Sequence, residues 1–188
     1  MNRKLVALLG FIVVASYVLS LLLLIIWGGA LWQITFEIVT MLSAFWYVVL
    51  VLVLPSNKPV YKNLAVIFVS GLLVTTSIVH MVGIAMVRLL QQGIPIPEYV
   101  QIGQQPSLLT AVEYFAWCVF LGLALLFSGI AIKKEHRLLR FTLYVCAALC
   151  LIGFFASFIN PNLLYIASLG YGLGAAVMSA CLWLEKPA

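Results

Sequence analysis

Apolar residues fill the chain in long runs that break only at short polar interruptions. Six runs can be traced, at about residues 5–27, 34–54, 64–90, 108–132, 138–159 and 162–184. The interruptions carry turn and helix-ending chemistry: Gly28-Gly29, then Pro55-Ser56-Asn57-Lys58-Pro59, then the stretch from Gln91 to Ser107, and finally Asn160-Pro161-Asn162. Each run is about as long as the roughly 20 residues a helix needs to cross a bilayer. None alternates apolar with polar positions as a barrel strand does. Lipid offers no water to unpaired backbone groups, so helices are the spanning element. The pattern predicts an all-α polytopic membrane protein, a bundle of six transmembrane helices forming a single domain over residues 1–188.

Composition narrows the class. Of 188 residues, 65% are hydrophobic and 8% are charged, against about 25% charged in an ordinary soluble domain. Mean hydropathy is +1.21. A water-soluble globule, a disordered chain and a disulfide-stapled secreted domain are excluded. The first run follows Arg3-Lys4 and extends from Leu5 to Trp27. It exceeds the about 7–15 residues of a signal-peptide core, so a retained first helix is expected.

The net charge of +5 takes its meaning from position and implies no nucleic acid. Arg3, Lys4, Lys58, Lys62, Lys133, Lys134, Arg137, Arg140 and Lys186 share one side of a six-helix topology, and Arg88 falls on the other. The positive-inside rule then puts both termini in the cytoplasm of a cell inner (plasma) membrane protein. Trp27, Trp32, Tyr99 and Tyr165 mark the opposite rim as an aromatic belt. The Gln91 to Ser107 connection is long enough to act as a lid or to remain a plain exposed loop.

Four ionisable residues lie within the apolar runs: Glu37 in the second, His80 and Arg88 in the third, and Glu113 in the fourth. Such residues are costly in lipid and mark candidate functional sites. At about 1.5 Å per residue, Glu37 is about 5 Å inside the outer boundary, Glu113 is similar, and His80 is about 10 Å deep. Thr76 and Ser77 lie one turn before His80, and Trp117 one turn below Glu113. These residues suggest an outward-opening ligand pocket, with His80 and Glu113 as its floor, Glu37 and Arg88 near its mouth, and Thr76 and Trp117 beside them. A purely structural His80–Glu113 hydrogen bond, with Glu37 and Arg88 snorkelling to the headgroups, accounts for the same residues. Glu37, His80 and Glu113 also have the ligand chemistry of zinc, without a supporting motif.

Signatures of catalysis are sparse. No G-x-S-x-G, P-loop or aspartate occurs, and no lysine lies mid-membrane. A threonine hydrolase in which Thr35, Thr40, Thr75 or Thr76 works with His80 is conceivable, but the reading favours a binding protein over an enzyme and names no cofactor. Cys118, Cys146, Cys150 and Cys181 all fall in apolar runs and read as packing residues, the Cys146/Cys150 spacing included. Small residues recur at helical spacing: Gly170 with Gly174, Gly172 with Ala176 and Ala180, and Cys146, Cys150, Gly153 and Ser157 in the fifth run. They let helices approach closely, either as an internal seam or as a docking face for a membrane protein partner or a second copy.

The stretches "SIVHMVGIAMVR" (Ser77 to Arg88), "TAVEYFAWCVFLGLALLF" (Thr110 to Phe127) and "LCLIGFF" (Leu149 to Phe155) resemble a group of uncharacterised bacterial six-helix integral membrane proteins. The likeness covers about half the chain, includes His80 and Glu113, and implies a bacterial inner-membrane setting with no stated activity. At the level of fold the chain is also similar to the substrate-binding S components of energy-coupling-factor transporters. Their helix-1 Ala-x-x-x-Ala motif is interrupted here, at Ala7, Phe11 and Ala15. The leading expectation is binding, extended to transport, of a small molecule or ion in the outer half of the bilayer. A non-catalytic accessory subunit of a larger membrane complex stands second.

Overall fold

The computed structural model describes residues 2–101 and 107–184. Lys186 and residues 102–106 of the long connection lie outside them. Six helices are long and apolar enough to cross a membrane: α1 Arg3–Trp27, α2 Ala30–Val53, α3 Pro59–Gln91, α4 Leu108–Ala131, α5 Arg137–Ser157 and α6 Pro161–Leu184. The chain is an all-α, multi-pass membrane protein. Its boundaries follow local chemistry. Gly28 and Gly29 take φ of 61° and 84°, a region open to glycine, so the first turn needs only those two residues and α2 starts at Ala30 instead of 34. Pro59 stands in the first turn of α3, where its missing N–H is harmless, so Tyr61 and Lys62 are helical and not loop. At about 1.5 Å per residue, the 33 residues of α3 span about 50 Å, well beyond the about 30 Å hydrocarbon core.

Each helix packs on its neighbours in sequence, and α6 closes the ring against α1. Buried Tyr47, Leu50, Leu72, Leu121, Leu125, Leu143, Met178 and Leu182 fill the interior. Outward-facing residues such as Ile12, Leu52, Val74, Phe141 and Val177 remain apolar, as a lipid-facing surface requires. Close approach depends on small residues. A Cβ on Gly10 would stand 2.1 Å from Ser179 Oγ and 2.6 Å from the Trp46 ring. On Gly153 it would stand 2.6 Å from the Ala167 nitrogen, and on Gly170 2.8 Å from Cys150 Sγ. Gly153, Gly170, Gly174, Cys146 and Cys150 of α5 and α6 therefore line an internal seam, whereas a Cβ on Gly172 would meet nothing within 4 Å. All four cysteines are free and buried.

At the end that carries the N-terminus the connections are tied together. Ser56 pairs with Ile132 in an isolated antiparallel bridge, and the Asn57 N–H donates to the Ala131 carbonyl at 3.2 Å. Lys62 Nζ donates to the last carbonyls of α2, to Val51, to Leu52 at 3.1 Å and to Leu54 at 2.8 Å. Arg140 does the same for α4 through Gly129 at 3.2 Å. Cations suit these positions, because a helix C-terminus carries partial negative charge.

Candidate functional site

Toward the opposite end, α2, α3 and α4 each contribute one ionisable side chain to a single chain of hydrogen bonds. Three polar residues of α2, Glu37, Thr40 and Ser43, fall with Tyr47 and Leu50 on its buried face. On α3 the buried face runs through Val69, Leu72, Thr76, His80, Gly83 and Val87. These two faces meet, and His80 Nδ1 is bonded to Glu37 Oε2. On its other edge His80 Nε2 lies 3.0 Å from Glu113 Oε1. Side-chain exposure is 1% for His80, 4% for Glu37 and 19% for Glu113, so Glu113 alone keeps appreciable surface.

Two hydrogen bonds require two protons. With both on the imidazole, the ring is a cation between two carboxylates. With one on the ring and one on a carboxyl, ring and that carboxyl are neutral beside one carboxylate. With those two protons alone the three groups together carry a net charge of −1, and a third proton makes them neutral. Lys133–Glu135 is the other ion pair among the described residues, and no lysine or arginine among them pairs with the cluster. The phenols of Tyr17, Tyr114 and Tyr171 lie within electrostatic reach of Glu113.

Below the cluster the interior is aromatic. Trp117 packs edge-on against Tyr47 at 6.0 Å and tilted against Tyr171 at 5.2 Å. Trp117 sits in a π-helical turn, Ala116–Phe120, and Tyr171 in another, Leu169–Leu173. Such turns leave a carbonyl without its usual helical donor. The Tyr47 hydroxyl donates to the Tyr171 carbonyl at 2.5 Å. A cavity of about 280 Å³ opens between α4, α5 and α6 at the end of the bundle away from the N-terminus, lined by Ser107, Thr110, Tyr114, Phe154 and Ser157 among others. None of the six residues singled out from the sequence lines it.

Of those six, His80, Glu113 and Glu37 come together. Glu37 is 3% exposed and sits beside His80, not out with Arg88. With α2 starting at Ala30, it lies about 10 Å along the helix instead of about 5 Å, too deep and too enclosed to snorkel. Thr76 is fully buried on the same face as His80, and its Oγ1 has no hydrogen-bond partner. Trp117 lies beneath. Arg88 is exposed and does not join the group, because eight residues of helix turn it about 80° away from His80. Tyr47, Tyr17 and Tyr171 were not anticipated. The Gly170, Gly172 and Gly174 triplet around Tyr171 was the one sign of an irregular turn there.

Two other chemistries find no geometry. The Thr35 and Thr40 hydroxyls donate to their own helix, to Leu31 at 2.8 Å and Phe36 at 2.9 Å. Both nitrogens of His80 are taken by carboxylates, which leaves no base for a threonine. The two carboxylates flank opposite edges of the ring, and among the described residues no three His, Cys, Asp or Glu side chains are placed to share a metal ion. No family model, curated protein or solved structure matches the chain.

Proposed function

We propose that this chain is an inner-membrane protein, with both termini cytoplasmic, that binds and passes a small ligand or ion at the Glu37–His80–Glu113 centre. One observation carries the reading: a buried carboxylate–imidazole–carboxylate chain joins three helices, and among the described residues no lysine or arginine pairs with it. A buried net charge is unfavourable, and polar groups at membrane depth recur along substrate and ion pathways. The aromatic layer of Tyr47, Trp117 and Tyr171 beneath the centre suits a site reached from the outer side. The resemblance to the bacterial six-helix group belongs to this proposal, since its matching stretches include His80 and Glu113.

The test is made on protein reconstituted in liposomes on a solid support. Charge displacement is recorded on exchange of protons, monovalent ions and divalent ions in turn, and native mass spectrometry of the detergent-released protein covers neutral ligands. A displacement current or a bound species is expected in the wild type, reduced at least tenfold in His80→Asn and Glu113→Gln. Silence of the wild type in both measurements overturns the reading. So does a response that both variants retain, which would make the cluster a structural joint.

A further inference from the structure

Resting on that reading, the geometry of the centre narrows its ligand to the smallest cation. We propose that Glu113, His80 and Glu37 form a proton-binding and relay unit, which takes up a third proton at Glu113 and moves protons across His80 to Glu37.

Several observations favour a proton over any larger cation. The carboxylates lie on opposite edges of the imidazole, each at hydrogen-bonding distance from a different nitrogen. An ion between them would have to occupy the position of the ring itself. His80 and Glu37 have almost no accessible surface, and the described cavity is lined by none of the three. A proton needs no volume, and it removes the net charge of −1. The buried, unpartnered Thr76 hydroxyl one turn from His80 adds a polar group able to solvate a changing charge. The other titratable groups within electrostatic reach of the centre are Tyr17 of α1, Tyr114 of α4 and Tyr171 of α6. None is a cation that could substitute for the proton.

The step balances without a co-reactant. It starts with Glu113 protonated and bonded to a bare Nε2, with Nδ1–H bonded to the Glu37 carboxylate. The Glu113 O–H bond breaks as Nε2–H forms, while Nδ1–H breaks as a Glu37 O–H forms. The ring is neutral before and after, its tautomer reversed, and the unit keeps its charge of −1. Glu113 is then a carboxylate again. Being the member with surface, it accepts the next proton, and the three-proton form is neutral.

The test is infrared difference spectroscopy of the reconstituted protein between about pH 8 and pH 5, in H2O and D2O, with dye-monitored proton uptake. The wild type is expected to take up about one proton per chain more than Glu113→Gln, with a deuterium-sensitive carboxyl band that this variant lacks. Because Gln can still hydrogen-bond to the ring, the variant is expected to fold. Glu37→Gln provides the second reading, and it should leave uptake at Glu113 in place while abolishing the shift of signal to a second carboxyl. Uptake and carboxyl band equal in the wild type and both variants overturn the proposal. If uptake is absent while another ion still gives a His80-dependent displacement current, the proton assignment fails and the binding reading survives. If both are absent, both fail.

Discussion

Lys62 shows how one side chain can serve two purposes. It is one of the basic residues from which the proposed orientation is read, and it also closes α2, its ammonium donating to three carbonyls at that helix end. Lys62→Met keeps the apolar stem and removes the cap, and should lower stability by about 1 kcal/mol, read as a lower melting temperature in detergent. Tyr47 carries a comparable contact, since its hydroxyl satisfies the Tyr171 carbonyl inside a π-helical turn. Tyr47→Phe removes that donor, and should destabilise by about 0.5–1.5 kcal/mol by the same measurement. Residue identity alone reveals neither contact, because the partners are backbone atoms brought near by folding. The depth of Glu37 was misjudged for a similar reason. Two glycines with positive φ shorten the turn before α2 more than composition suggests, and the whole helix gains four residues at its start.

At the scale of elements, the six spans were readable because lipid imposes the same demand along each one, and continuous apolar runs satisfy it. Helix facing was partly readable. Glu37, Thr40 and Ser43 recur at a spacing that puts them on one side of α2, and the structure buries that side. The same arithmetic separates Arg88 from His80. What no period disclosed is the pair of π-helical turns in α4 and α6, each a one-residue excess inside an otherwise regular run. The small-residue stripes, which allowed either an internal seam or a docking face, divide between the two faces of α6. A Cβ at Gly153 of α5 would strike the backbone of Ala167, while at Gly172 it would meet nothing within 4 Å. Gly153→Leu should therefore destabilise by about 1–3 kcal/mol and Gly172→Leu by much less, as thermal unfolding of the two variants will show. Equal effects would mean that the seam between α5 and α6 is looser than its contacts imply.

The whole molecule is a ring of six helices, and its orientation can be measured without removing the native cysteines, all of which are buried. Glu98 and Glu135 are exposed in connections at opposite ends. A membrane-impermeant thiol reagent added to intact cells should label Glu98→Cys and spare Glu135→Cys until the membrane is opened. The reverse pattern would invert the proposed topology. The two ends also differ in how their connections are held. The Ser56–Ile132 bridge and the Asn57–Ala131 hydrogen bond stitch the α2–α3 connection to the α4–α5 connection. Such a molecule is a purse sewn shut at its base: the stitches restrain the end that carries the N-terminus, and the Glu113 end is the one left unsewn by them.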